Sequence, residues 1–371
     1  NYRSTKAIVS KAKDLIHQSY LEPARAEFEK DLRPRPDAVD GVPIELVVNE
    51  DGQGEAHWVL RRVQEHLANG AGPQDIYVIS RIRAGLAWPE RVLSQAGIPN
   101  ISTGGSYWSN QRVKEVLAYV ALSHDNTDND AFSLVYDIPS PRWELTTRRL
   151  GRAFLTEVEQ GQGQALWEKM LSIQAYQRPF RARAINDFVD YIEHLQIISE
   201  RSELGELVGT VCRDYIAYWA RREGDDSAED LEVLDPLPDI AADMGDWDTL
   251  KRAITMAELS NKDTSKSVVL STIHGVKGLE RKVVIGVGIS EGLLPHWLSS
   301  DEVAVSTDKG NTLNRMAMPP SPYDGTVEDE RCAAYVLVTR ARERLHLSTV
   351  KALGSKVAME PSRFIEEMGL S

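Results

Sequence analysis

Ser271-Thr272-Ile273-His274-Gly275-Val276-Lys277-Gly278-Leu279-Glu280 and Tyr335-Val336-Leu337-Val338-Thr339-Arg340-Ala341-Arg342-Glu343-Arg344-Leu345 are the two stretches that decide how this chain is read. Each joins a short apolar run to charged residues. A run of that length reads as a buried strand, and an α/β sheet presents its ligand-facing groups where a strand breaks into a turn or a helix. Residues 267–272 and 335–338 are therefore expected as strands, with the charged groups beyond them facing ligand.

Working outward, residues 44–48, 75–80 and 283–287 carry the same strand signal. Between the first two, residues 55–67 place Val59, Leu60, Val63 and Leu67 on one helical face. A second helix is expected over 84–96, ended by Gly97-Ile98-Pro99, and a first one near the amino end, with Ser4 as N-cap before Ile8, Ala12, Leu15 and Ile16. From about Ser109 to Lys262 the pattern changes to long helical periodicities, such as Val113-Leu117-Val120 and Phe188-Ile192-Leu195. Strand signals return only after it. Pattern alone thus predicts an α/β fold, 1–108 and 263–371, interrupted by an all-helical insertion over 109–262.

Composition narrows the function classes. The chain has 371 residues, 42% hydrophobic and 27% charged, which allows two domains with cores and argues against disorder. No apolar run approaches the ~20 residues that span a bilayer. Cys212 and Cys332 are far apart, so neither a disulfide framework nor a zinc site is expected, and a reducing cytoplasm fits. A formal net charge of −13 excludes coating of nucleic acid by bulk electrostatics, so any DNA contact must be local. Acid concentrates over 223–248; basic groups cluster at Arg142, Arg148, Arg149 and Arg152, at Arg178, Arg181 and Arg183, and at Arg340, Arg342 and Arg344.

Together with Asn1-Tyr2-Arg3-Ser4-Thr5, the two opening stretches resemble the motor motifs of superfamily 1 DNA helicases of the UvrD/Rep/PcrA type. The resemblance covers nearly the whole chain but only the carboxyl-terminal half of such an enzyme. It implies a RecA-like, P-loop NTPase-type parallel sheet domain with a helical insertion. It also implies roles. Arg3 and Arg340 match the arginines aimed at the γ-phosphate, where bidentate guanidinium stabilises spreading charge. Tyr2 matches the aromatic that stacks on the nucleotide base, and Glu280 the acid near the ribose. Lys277 is placed to neutralise phosphate, of nucleotide or of DNA. Thr272 and His274 look toward single-stranded DNA. Arg81 matches a DNA-backbone contact, with Arg83 a further basic residue near phosphate. Tyr107 and Trp108 either stack on bases or pack a hinge.

Departures from the pattern are equally specific. Arg281-Lys282 stands where relatives carry an aromatic and a small or apolar residue, and Ser80 and Arg83 flank Arg81 where the pattern has Tyr and Asn. Pro141-Arg142-Trp143-Glu144-Leu145-Thr146 replaces a Gly-Ile-Gly turn that grips duplex, so either Arg142, Thr146 and Arg149 substitute in part, against the repulsion of Glu144, or the duplex contact is lost. No Gly-Lys dipeptide occurs, so the chain has no phosphate-cradling P-loop of its own. The chain opens on a motif without Met, which predicts a piece of a longer protein whose amino-terminal RecA-like domain is elsewhere.

The resemblance then implies a 3′-to-5′ ATP-dependent DNA helicase or translocase, using ATP and Mg²⁺ in the full-length enzyme and acting on single-stranded DNA and single-strand/duplex junctions. No cofactor and no metal site are expected in this piece alone. The alternatives are a non-catalytic DNA-binding or scaffold module, as in some recombination nuclease subunits, and a helicase–nuclease polypeptide.

Overall fold

The computed structural model describes residues 4–19, 34, 38–136, 179–223, 231–258, 265–299, 326–353 and 357–370. In chain order, α1 (Lys6–Ile16), β1 (Glu45–Asn49), α2 (Gly52–Ala68), β2 (Ile76–Ser80), α3 (Ala87–Gln95) and β3 (Asn100–Ser102) come first. A helical stretch follows: α4 (Gln111–His124), α5 (Asn129–Val135), α6 (Pro179–Arg201), α7 (Leu204–Glu223), α8 (Leu237–Met244) and α9 (Trp247–Glu258). The chain closes with β4 (Val268–Thr272), β5 (Arg281–Gly286), α10 (Val327–Thr339), β6 (Ala341–Val350), β7 (Ala352–Leu353), β8 (Val357–Ala358) and α11 (Arg363–Glu367). Contacts divide it into two units, Asn1–Tyr107 with Thr255–Ser371, and Trp108–Ile254.

In the first unit, six strands form one sheet in the order β1-β6-β5-β2-β4-β3. Every pairing in it is parallel. Parallel sheets survive only with both faces covered, which is why the inner strands carry continuous apolar runs such as Ile76-Tyr77-Val78-Ile79, Val268-Val269-Leu270 and Val283-Val284-Ile285. Successive side chains alternate faces. Tyr77, Ile79, Val269, Val284, Leu345 and Leu347 pack against α1, α10 and α11. Ile76, Val78, Val268, Leu270, Val283 and Ile285 pack against Trp58, Val59 and Val63 of α2 and Leu93 of α3. The result is a helix/sheet/helix sandwich, as an α/β fold of the RecA-like kind requires.

Two expectations are corrected. Residues 335–338 are not a strand: they form the last turns of α10, and the strand is β6, which begins at Ala341. A four-residue apolar run cannot separate the two. What decides is the capping box of Thr326 and Asp329, which starts a helix whose Ala334, Tyr335, Leu337 and Val338 all bury. Ser4 is not an N-cap either. Thr5 holds that place with no side-chain cap bond, while the Ser4 hydroxyl donates to Ala341 O at 2.6 Å. The helix expected over 84–96 begins as a 3₁₀ turn, Ala84–Leu86, and becomes α3 only from Ala87.

In the second unit, Asn110 caps α4 through the N–H groups of Arg112 and Val113. Phe132 stands edge-on to Phe188 and Tyr119 to Tyr191, linking the α4–α5 pair to α6. The Tyr215 hydroxyl donates to buried Glu115, and Arg112 lies 4.2 Å from the Trp219 ring centroid. Among the described residues, no helix is long and apolar enough to cross a membrane.

Candidate functional site

Because every strand of the large sheet runs the same way, its two ends are chemically distinct. At the carboxyl end, β2, β4 and β3 finish side by side at Ser80, Thr272 and Ser102. The chain beyond each is tied to its neighbour: Ile273 N–H donates to Ser80 O at 2.9 Å, Thr103 N–H to Leu270 O at 2.9 Å, and the Thr103 hydroxyl to Ser271 Oγ at 2.5 Å. Thr272 is half-buried here and His274 exposed. Arg83 is also exposed, one of its guanidinium N–H groups donating to Gly104 O at 3.1 Å. Gly275 is required by close approach, since a Cβ there would stand 2.5 Å from Ser271 Oγ. Thr272, His274 and Arg83 are thus brought to one edge.

Buried Glu90 of α3 organises the same edge from behind. It accepts the Ser102 hydroxyl at 2.7 Å, the Ser106 hydroxyl, and Tyr107 N–H at 3.1 Å. Glu90, Thr103 and Ser271 were not legible as site residues. Their signal lies in contacts between segments distant in sequence. Tyr107 and Trp108 are both buried, so their rings are engaged in packing.

At the amino end, β5 and β6 start in register, Arg281 opposite Ala341, and Arg281 N–H donates to Arg340 O at 3.0 Å. Glu280 and Arg340 therefore precede adjacent strands. The Arg340 guanidinium is pinned by Nε to Val336 O at 3.0 Å and by Nη1 to Leu279 O at 2.9 Å. Partial burial pulls it below its ordinary value, while Glu280, Tyr335 and Tyr77 act to keep it charged. Lys277 is exposed, and so is Leu279, at 52%. Gly278 has φ +85°, a left-handed turn with open space around it. Ser4 and Thr5 dock here too, on Ala341 O and Arg342 O.

The segment 273–280 runs from one end of the sheet to the other. It leaves β4 at the carboxyl end and enters β5 at the amino end, with Ile273 and Val276 anchored in the core. One continuous piece of chain thus carries Thr272 and His274 on one edge and Lys277 and Glu280 toward the other.

Arg81 is a correction. Expected on a DNA backbone, its side chain is only 3% exposed and forms an ion pair at 2.8 Å with Glu330, itself 2% exposed. A guanidinium so committed is not available to phosphate. Arg281 and Lys282, the departure noted above, have structural partners: Arg281 lies 4.8 Å from the Tyr77 ring centroid and Lys282 pairs with Asp75 at 3.1 Å. Tyr2, Arg3 and Arg142 lie outside the described residues. Among the described residues, no group of three His, Cys, Asp or Glu side chains is arranged to hold a metal ion.

Comparison with known proteins agrees with this geometry. The family described as UvrD-like helicase C-terminal domain matches residues 1–352. DNA helicase II of Escherichia coli is 28% identical over 389 residues, covering 99% of this chain and 49% of the relative. ATP-dependent DNA helicase PcrA of Staphylococcus epidermidis is 24% identical over 391 residues, with 99% and 49% covered. PcrA of Staphylococcus aureus is 23% identical over 390 residues, with 99% and 48% covered. The chain spans about half the length of the curated relatives it matches. With a parallel sheet that carries the motif residues at its two ends, and a family match over most of its length, the chain belongs to the UvrD-like helicase C-terminal domain family.

Proposed function

We propose that this chain is the carboxyl-terminal motor half of an ATP-dependent 3′-to-5′ DNA helicase or translocase acting in the cytoplasm. The observation that carries the reading is the division of the motif residues between two ends of one sheet, with segment 273–280 linking them. At the amino end, Arg340 offers a positioned guanidinium, Lys277 an exposed ammonium and Glu280 a carboxylate, a donor set suited to a triphosphate and a ribose. ATP with Mg²⁺ would supply the driving phosphoryl transfer. This chain's part is to hold Arg340 where charge develops, and to join to it Arg3, which precedes the docked Ser4 by one peptide bond. At the carboxyl end, Thr272, His274 and Arg83 form the track for single-stranded DNA. The other wall of the nucleotide cleft belongs to an amino-terminal RecA-like domain, and single-strand/duplex junctions are the natural substrate. Arg142 remains a candidate for duplex contact.

In the full-length protein, Arg340→Ala is expected to lower the DNA-stimulated ATP turnover number by ~10³-fold or more. The 371-residue chain by itself is expected to show no turnover. Steady-state ATPase assays with and without oligo-dT check both. Turnover that survives the substitution would refute the role of Arg340, and a full-length wild-type protein without turnover would favour the scaffold alternative.

A further inference from the structure

We propose that the buried Arg81–Glu330 pair is a positioning device for Arg340, holding α10 in one register on the sheet so that the guanidinium at its far end meets phosphate. The inference rests on the function proposed above. Arg81 directly follows β2 at the carboxyl end of the sheet, and Glu330 lies in the first turn of α10. The fork is complete: Nε donates to both Glu330 oxygens at 3.0 Å and Nη2 to Oε1 at 2.8 Å, while His296 N–H reaches Oε2 at 3.1 Å. Arg331, the next residue, pairs with Glu328 and with Glu367 of α11, fastening the same helix end a second time.

The opposite end of α10 carries Arg340, whose N–H donates to Leu337 O and whose Nε donates to Val336 O, so its guanidinium is tied to the last helical turn, with Nη1 held in addition by Leu279 O. The helix has 13 residues, a span of ~20 Å at 1.5 Å each. A one-residue slip would rotate α10 by about 100° and take Glu330 off the fork, whereas the apolar contacts with α1 carry no direction of their own. Burying two charges is weak support for stability, because a well-packed apolar pair does as well; what the fork adds is direction. Directional fixation at one end of a rigid helix matters most to a group at the other end that must be placed to within ~1 Å.

The test uses the full-length protein. Removing one partner strands a buried charge and threatens folding, so the decisive variant replaces both, Arg81→Met with Glu330→Leu. It is expected to unfold at or near the wild-type midpoint, to bind oligo-dT as wild type does, and to lose ~10-fold or more in DNA-stimulated turnover number with KM for ATP within ~2-fold. Arg81→Lys, which keeps the charge and loses the fork, is expected to lose turnover in the same sense. Wild-type turnover in either folded variant overturns the proposal. So does a pattern in which Arg81→Lys weakens only DNA binding and turnover recovers at saturating oligo-dT, since Arg81 would then be a DNA contact. Arg340→Ala run alongside separates the two levels. If it leaves turnover intact, the functional reading fails; if it abolishes turnover while both Arg81 variants are normal, only the positioning role fails.

Discussion

Burial of Glu55, in the first turn of α2, pushes its carboxyl up to about 7, against the Ser348 hydroxyl and the Gly288 N–H, at 2.9 Å, which both favour the ionised form. A raised acid binds its proton more tightly folded than unfolded, so stability is fully present below the unfolded value of 4.5 and falls as pH rises toward 7. Glu55→Gln is therefore expected to flatten that fall, gaining on wild type by up to about 3 kcal/mol between pH 5 and pH 8. Thermal unfolding at the two pH values checks it, and parallel curves would refute it. Nothing in the local sequence marks Glu55 as unusual, since its partners, Ser348 of β6 and Gly288 just past β5, are distant in the chain. The same holds for Arg81. Its place after a strand was legible, and its guanidinium's partner was not, because Glu330 lies on a helix nearly at the other end of the chain.

Between β3 and the second unit, the connection 102–107 is tied by Thr103 to Leu270 O and Ser271 Oγ, and otherwise relies on one side-chain acceptor. Glu90 takes two hydroxyls and one backbone N–H from it. Glu90→Ala leaves those donors without that partner and is expected to cost about 1–3 kcal/mol. Urea unfolding measures the cost. Amide exchange should rise further at 102–107 than in α10, where only the loss of global stability is felt. Elements with a full period in the sequence, such as α2 with Val59 and Val63 buried, were readable to within a few residues. α10 was not, because its apolar residues crowd into the last turns. Its Glu330 and Arg331 are buried through ion pairs, so polar letters occupy inward positions.

Across the whole chain, a net charge of −13 leaves DNA affinity to a few local cations. Binding of oligo-dT by the isolated chain is expected to weaken with salt at a shallow slope of about −1.4 to −2.1, corresponding to two or three phosphates at ~0.7 each. A slope steeper than about −4 in a log–log titration would mean a broad basic surface instead. The sequence alone carried the fold class, the helical insertion and the candidate residues Thr272, His274, Lys277, Glu280 and Arg340, because apolar runs, helical period and motif spacing are local properties of a chain. Tertiary structure alone decided that these residues divide between opposite ends of one sheet, that Arg81 serves Glu330, and that Glu55 and Glu90 hold buried donors. Strand order, desolvation and pairing depend on which distant segments become neighbours, and no window of sequence contains that information.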